Sequence, residues 1–402
     1  MDSYGSHCTK PTDRSGRFRK PQTKFLTTLF ATILVMCGKV NFTNLSRYSN
    51  LSERTYRRQY QQDFEFAALN QALVGQVSQT GGAKLAVMDC SFICKSGKAT
   101  FGLDRFWNGC ASRAETGLEV SVVGVVDVET EQGYALSAEQ TYAQSSVPEF
   151  SRMDQYLYHL DHVRPYLPPE VEYLAVDGYY AKAHFVAGAV GLRLHVISKL
   201  RCDANLQFLY TGVQKRRGRP RKYAGKVDLN DLSRFTFVET VQPDVELYTA
   251  IVWHVSLKRA VRVAYLVDRR QATRVRTCLL FSTDVEQDPM QIYHYYKLRF
   301  QIEFIFRDAK QFTGLEDCQA RDAQKLAFHF NASLTALNLA KLDALQQHSG
   351  QAPFVFSMAS VKRRRLNQHL LERFICNLDL DPSQIKSHPN YSSLCNYGII
   401  AA

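Results

Sequence analysis

Acid is what this chain is short of. Against 50 lysines and arginines its 402 residues set 38 aspartates and glutamates, a formal charge of +12. That balance favours a polyanionic partner. Paired cysteines are missing too: ten cysteines are scattered with no CxxC pair, several in apolar runs, which fits reduced thiols of a cytosolic protein and disfavours zinc. Long hydrophobic runs are absent. Residues 25–37, FLTTLFATILVMC, are too short to span a bilayer and carry three threonines. The basic leader before them, with Arg14, Arg17, Arg19, Lys20 and Lys24, disfavours a signal peptide. No membrane association is expected.

The positive charge is concentrated. Residues 215–226, KRRGRPRKYAGK, hold seven cations and no acid, and VKRRR at 361–365 holds four more. Arg217 and Arg219 flank Gly218 in an RGRP core, a pattern suited to entering a narrow A·T-rich minor groove; a solvated charge run is the alternative. With 45% hydrophobic residues the chain can build two or three domain cores.

Phe25, Leu29, Ile33 and Met36 recur at helical spacing and predict the core helix of an N-terminal domain, residues 1–78. Asn50 followed by Glu53 reads as a capping box opening a basic helix with Arg54, Arg57 and Arg58. A short helix, a turn and a basic helix suggest helix-turn-helix DNA binding; a helical bundle with a solvated basic face is the alternative.

From Lys84 the period changes. Leu85–Met88 is a continuous apolar run ending in Asp89, as a buried strand would, and Tyr173–Val176 is another ending in Asp177. Strands at 120–128 and 133–142, a helix at 151–166, a short helix at 182–190 and a strand at 192–197 complete an α/β, RNase H-like layout. The expected core is a mixed five-stranded sheet with helices, residues 79–200 and 285–346. Between its halves lie residues 201–284, alternating and β-branched, read as a β-rich insertion with a basic loop. Parallel neighbouring strands would bring Asp89 and Asp177 to chains about 4.8 Å apart, near enough to share divalent ions for in-line phosphoryl transfer. Asp127 also ends an apolar strand, but an antiparallel course puts it at the far edge. Asp104, Asp203, Asp268 and Asp284 sit by turn or cap signals. His184, His195 and His254 are expected as satisfied core residues.

Asp288–Phe312, DPMQIYHYYKLRFQIEFIFRDAKQF, predicts one long helix with Asp288 as cap, Pro289 at the first position and Gln291 where a capping box wants it. Leu298, Ile302, Ile305, Ala309 and Phe312 form its apolar face. Tyr296, Arg299, Glu303 and Lys310 share an opposite arc of roughly 60°. An exposed helix face with mixed charges is the bland alternative. A second long helix is predicted at 321–345, and residues 347–402 as a C-terminal helical segment, with a helix at 358–376, ending in a loosely ordered tail.

The spacing Y-x2-R-x3-E-x6-K, with VMDCSF around Asp89 and AVDGYY around Asp177, resembles DDE transposases of bacterial insertion sequences, the hairpin-forming cut-and-paste group of the insertion-sequence-four type. The resemblance implies catalytic, metal-holding roles for Asp89, Asp177 and Glu303 and a Mg²⁺ cofactor, with Mn²⁺ as substitute. It further implies phosphate contacts from Tyr296, Arg299 and Lys310, and an insertion that holds a DNA hairpin. Trp253 is then the candidate to stack on a displaced base, against an ordinary core role that Trp107 shares. The implied partners are terminal inverted repeats and target DNA, with a synaptic homodimer, at the nucleoid in the bacterial cytoplasm. An RNase H-like endonuclease without strand joining, or a decayed DNA-binding protein, would draw on the same residues.

Overall fold

A computed structural model describes residues 20–77, 82–271, 274–348 and 354–400. They divide into two compact units: residues up to Gln62 with those from Ala359 onward, and the intervening Asp63–Met358.

In the first unit α1 (Lys20–Val35) buries Phe25, Leu29 and Ile33 as their spacing predicts. Asn41 caps α2 (Phe42–Arg47), accepting from the Asn44 N–H at 2.9 Å. The cap of α3 (Glu53–Gln59) is Ser52 and not Asn50. Glu53 does not close a capping box, because its carboxylate accepts from Thr43 and Arg57 instead.

The larger unit opens with α4 (Phe66–Val77), which the sequence reading placed in an N-terminal domain ending at residue 78. Here its Phe66 ring meets Phe328 edge-on at 5.0 Å. Strands β1 (Lys84–Cys94), β2 (Asp104–Asn108), β3 (Arg113–Asp127) and β4 (Gln132–Thr141) follow, then α5 (Arg152–Val163), β5 (Tyr173–Ala175), α6 (Ala183–Gly191) and β6 (His195–Leu200). The region expected as an insertion supplies β7 (Leu206–Leu209), β8 (Tyr223–Lys226), β9 (Thr236–Gln242), β10 (Val245–His254), β11 (Arg259–Asp268) and β12 (Arg276–Ser282).

Among the described residues these twelve strands form one sheet in the order β2-β3-β1-β5-β6-β12-β11-β10-β7-β8, with β4 on β3 and β9 on β10. Where a sheet of five strands was expected, β4, β3, β1, β5 and β6 are neighbours within this larger sheet, parallel only at β1-β5 and β5-β6. The sheet does not stop there. β12 pairs antiparallel with β6, Leu279 opposite Leu200, so the later strands extend the same sheet and cover an edge that β6 would otherwise leave open.

β1 does not end at Asp89. Its pairing with β3 continues to Cys94 opposite Gly117, whereas its parallel pairing with β5 stops at Val87 opposite Ala175. Asp89 therefore sits where β1 loses one neighbour, at the carboxyl ends of the parallel strands, where α/β sheets open crevices for ligands.

The expected single long helix is two segments, α7 (Pro289–Leu298) and α8 (Gln301–Asp308), followed by a widened π turn at Ala309–Thr313. Asp288 caps α7 as read, with Pro289 at its first position. At the join the backbone tightens: the N–H groups of Phe300, Ile302 and Glu303 each bond three residues back. Ile302, Ile305 and Ala309 are buried. Gly133 on β4 lets α8 come close, since a Cβ there would stand 2.9 Å from Gln301 Cβ.

Behind it runs α9 (Ala323–Gln346), capped by Asp322. Strand β4 has an open edge, and α9 closes it with side-chain amides. Asn338 accepts from the Ala135 N–H at 3.0 Å and donates to the Ala135 carbonyl at 2.7 Å; Asn331 does the same for Ala138 at 2.9 and 2.8 Å. A bulge that leaves Leu136 unpaired lets residues three apart face the same way. Seven helical residues rise about 10.5 Å and three strand residues about 10 Å, so the two ladders keep step.

In the first unit, α10 (Met358–Asn377) is followed by α11 (Pro382–Ser387) and α12 (Asn390–Cys395). The expected loose tail is thus ordered up to residue 400. Asp381 caps α11, Pro382 takes its first position, and Asn367 donates to the Cys395 and Tyr397 carbonyls.

Candidate active site

Asp89 and Asp177 reach the same crevice by different local means. Asp89 projects from the middle of β1, one oxygen accepting from the Cys90 N–H at 2.8 Å. Asp177 follows β5 and caps a short 3₁₀ turn, Gly178–Tyr180, its Oδ1 accepting from the Tyr179 N–H at 2.6 Å. Its backbone carbonyl accepts from Ser198 on β6 at 2.7 Å, which fixes the turn to the sheet.

Arg299 joins the helix layer to the strands. Its guanidinium lies 3.5 Å from Asp89 and 3.0 Å from Glu303, with a side chain only 8% exposed. The tight turn at the α7–α8 join carries both Arg299 and Glu303. Burial pushes the Asp89 carboxyl up to about 7; the negative charges of Asp177 and Glu303 push the same way, while the Cys90 N–H and Arg299 oppose them. The charges of Asp177 and Glu303 thus both act on Asp89, with the buried Arg299 between Asp89 and Glu303.

The remaining expected residues are distributed unevenly. Tyr296 is half-buried with Arg299 5.6 Å from its ring centre, and burial raises its phenol to about 12. Lys310 is engaged elsewhere: it donates to the Phe92 carbonyl at 2.7 Å and pairs with Glu316 at 2.8 Å. Trp253 is half-buried on β10, 5.9 Å from Tyr223. Trp107 is 61% exposed on β2. Arg217 and Arg219 are exposed at the tip between β7 and β8, where the loop is closed by Gln214, which both donates to and accepts from the Arg221 backbone at 2.8 Å. In the first unit Arg54 is exposed, and Arg57 pairs with Glu53 and lies over the Phe42 ring at 4.9 Å.

The competing acids have other occupations. Asp127 lies opposite Lys84, the first residue of β1, away from Asp89 at mid-strand, and caps the turn to Thr130. Asp203 and Asp268 pair with Arg201 and Arg270, and Asp284 accepts from the Tyr173 hydroxyl. His184 is not a core residue: it is exposed and paired with Asp154. His254 is buried, its Nδ1 accepting from the Leu257 N–H, and His195 is half-buried.

Among the described residues no three His, Cys, Asp or Glu side chains are gathered closely enough to hold a metal ion. At this site Arg299 stands between two of the acids, 3.5 Å from Asp89 and 3.0 Å from Glu303. The donor chemistry nonetheless fits a hard divalent cation, since every acid facing the crevice offers carboxylate oxygen. The bridging role of Arg299 had one signal in the sequence, its i, i+4 spacing to Glu303; its contact with Asp89 had none.

No described helix is long and apolar enough to cross a membrane. A family model described as Transposase DDE domain matches residues 125–339, just over half of the chain, a span that includes Asp177 and Glu303 and begins after Asp89. No curated protein matches the chain.

Proposed function

The chain belongs to the transposase DDE domain family, and from that premise we propose that it moves a bacterial insertion sequence by cut-and-paste, cutting and rejoining DNA at Asp89, Asp177 and Glu303. The observation that carries the reading is the convergence at Asp89. The part-buried Asp89 carboxylate lies 3.5 Å from the Arg299 guanidinium, which also holds Glu303 at 3.0 Å, and the charges of Asp177 and Glu303 both act on it. A site that disfavours its own negative charge in this way is relieved by a bound cation.

Mg²⁺, or Mn²⁺ in its place, would be held by Asp89, Asp177 and Glu303 and would stabilise the charge that develops on the attacking and leaving oxygens. The chain's own residues then account for positioning. Arg299, withdrawn from the carboxylates, presents a planar fork to a phosphate. Tyr296 lies beside it, and Lys310 would join them on release from the Phe92 carbonyl and Glu316. Contacts away from the cut fall to Arg217 and Arg219 at the basic tip, Trp253 on β10, and Arg54 and Arg57 on α3. Cleavage of one strand leaves a 3′-hydroxyl whose attack on the opposite strand closes a hairpin. Reopening and joining to target DNA complete the cycle, in a homodimer that holds two terminal inverted repeats.

The test is a cleavage assay with purified protein, Mg²⁺ or Mn²⁺ and a labelled DNA bearing the element's end, with Glu303→Gln in parallel. Nick, hairpin and joined product separate on a denaturing gel. The reading expects all three, and expects the variant to lose them while still binding DNA. Cleavage unchanged in the variant would sink the site assignment. Sequence-blind nicking without joining would replace the transposase with an endonuclease.

A further inference from the structure

Trp107 stands in solvent, 61% exposed, where no core requires it. It lies on β2, which pairs with the first residues of β3 to make a two-stranded arm, from Asp104 opposite Gly117 to Asn108 opposite Arg113. The arm has two unlike faces. On one, Phe106 is buried with the Arg152 guanidinium 4.9 Å from its ring centre, and Arg113 and Glu115 pair at 2.6 Å. On the other, Arg105 and Trp107 stand side by side over the small residues opposite them, Thr116 and Ala114, and all four are exposed. That face carries a cation and an indole and no acid. Arg105 is also steadied there, because it donates to the Ala114 carbonyl at 2.9 Å.

Strand register relates this bare face to the candidate active site. Asp89 lies opposite Val122, and every second residue of β3 from Val122 leads to Thr116 and Ala114, so Asp89, Arg105 and Trp107 belong to one side of the sheet. Thr116 and Ala114 are six and eight residues along β3 from Val122, about 20 and 26 Å, or roughly six to eight base-pair steps of a duplex. The root of the arm is clipped to the segment that follows the candidate catalytic helix. Lys95 donates to the Cys318 carbonyl, and the Phe101 N–H to the Arg321 carbonyl at 2.8 Å. The offset between arm and crevice is therefore fixed.

Paired DNA suits this face. A two-stranded ribbon fits the major groove of a duplex, guanidinium groups meet its phosphates, and an indole adds apolar surface for a sugar. A second copy of the chain would bring the same cation and another +12 charges, so charge favours the polyanion. We propose that the β2–β3 arm grips the duplex flanking the cut, with Arg105 on a phosphate and Trp107 against the adjoining sugar, roughly six to eight base pairs from the phosphate that is cut. The proposal rests on the DNA-cutting reading and adds where the uncut flank is held.

The experiment uses the full chain with chelator present, so that nothing is cut. The probes are fluorescein-labelled duplexes bearing the element's end, with flanks on both sides of the cut of about four or about twelve base pairs, short of the arm or past it. Affinity is read by anisotropy, and contact at Trp107 by the difference in tryptophan emission between wild type and Trp107→Phe. The wild type binds the long duplex more tightly, and Trp107 emission shifts on that duplex alone. Arg105→Ala weakens binding to the long duplex about tenfold and lowers the slope of log K against log salt by about 1, whereas Trp107→Ala weakens it about tenfold with the slope unchanged. On the short duplex both variants bind as wild type does, which also guards against a folding artefact. Equal losses on long and short duplexes overturn the arm, as does wild-type affinity of both variants for the long one. A changed sedimentation coefficient with DNA affinity intact overturns it too, making the face a contact between copies. In these cases the wild type still binds the element's end and the DNA-cutting reading stands; wild type that binds no duplex sinks that reading and the arm with it.

Discussion

Asn338 offers the sharpest test of how the helix layer is held against the sheet. Its side-chain amide accepts from the Ala135 N–H, donates to the Ala135 carbonyl, and donates to Asn70 Oδ1 at 3.0 Å. Asn70 in turn donates to the Leu136 carbonyl at 3.1 Å. Both asparagines are 1% exposed, so no water replaces what is removed. Asn338→Ala leaves a backbone N–H, a backbone carbonyl and an amide oxygen without this partner. Each such group costs about 1–3 kcal/mol, and with shared relaxation the loss is about 3–5 kcal/mol. Against a total stability of about 5–15 kcal/mol that is a large fraction. Urea unfolding followed by far-UV circular dichroism measures it. Asn331→Ala, which removes the equivalent pair at a half-buried position, should lose about 1–2 kcal/mol. A double-mutant cycle of Asn70→Ala with Asn338→Ala should show coupling of about 1 kcal/mol or more, because the two amides share a bond. A cost below about 1 kcal/mol for Asn338→Ala, or additive behaviour in the cycle, would refute the edge-closing account.

Other outcomes follow from single features of the structure. Lys341 is buried with its ammonium on the Gly133 carbonyl, and burial lowers it to about 8 from 10.5, with Asp308 opposing. Its charge is therefore a burden fully present below about pH 8 and lifted as pH rises toward about 10.5, so Lys341→Met should gain stability at neutral pH and lose that advantage in alkali, checked by melting temperature across pH. Arg217→Ala with Arg219→Ala should reduce the slope of log K against log salt by about 2 if both reach phosphate, as read by a salt titration of DNA binding. An unchanged slope would leave the tip solvated and unused.

Much was legible from local pattern, because caps and periodicities are properties of neighbouring residues. Asp288 with Pro289 started α7 as read, and the second long helix read at 321–345 is α9. The runs Leu85–Met88 and Tyr173–Val176 gave two buried strands carrying aspartate at the same offset, and those strands are parallel neighbours. The stripe through Tyr296, Arg299 and Glu303 was legible for the same reason.

What the sequence determined by itself was therefore which residue types lie on which strand or helix face, since periods of 2 and 3.6 are written locally. Tertiary structure alone decided what those faces meet. Nothing near Leu279 announces that β12 will pair with β6 and merge the expected insertion into one sheet, because strand pairing is chosen by contacts distant in sequence. Nothing near Asn331 or Asn338 names the edge of β4 as their partner. Asp89 became an interior position of a longer strand because β3 continues beside it and β5 does not. Arg299 became the buried cation between two acids because a tightened helical turn sets it against Asp89 on β1, and that meeting depends on helix and sheet packing together.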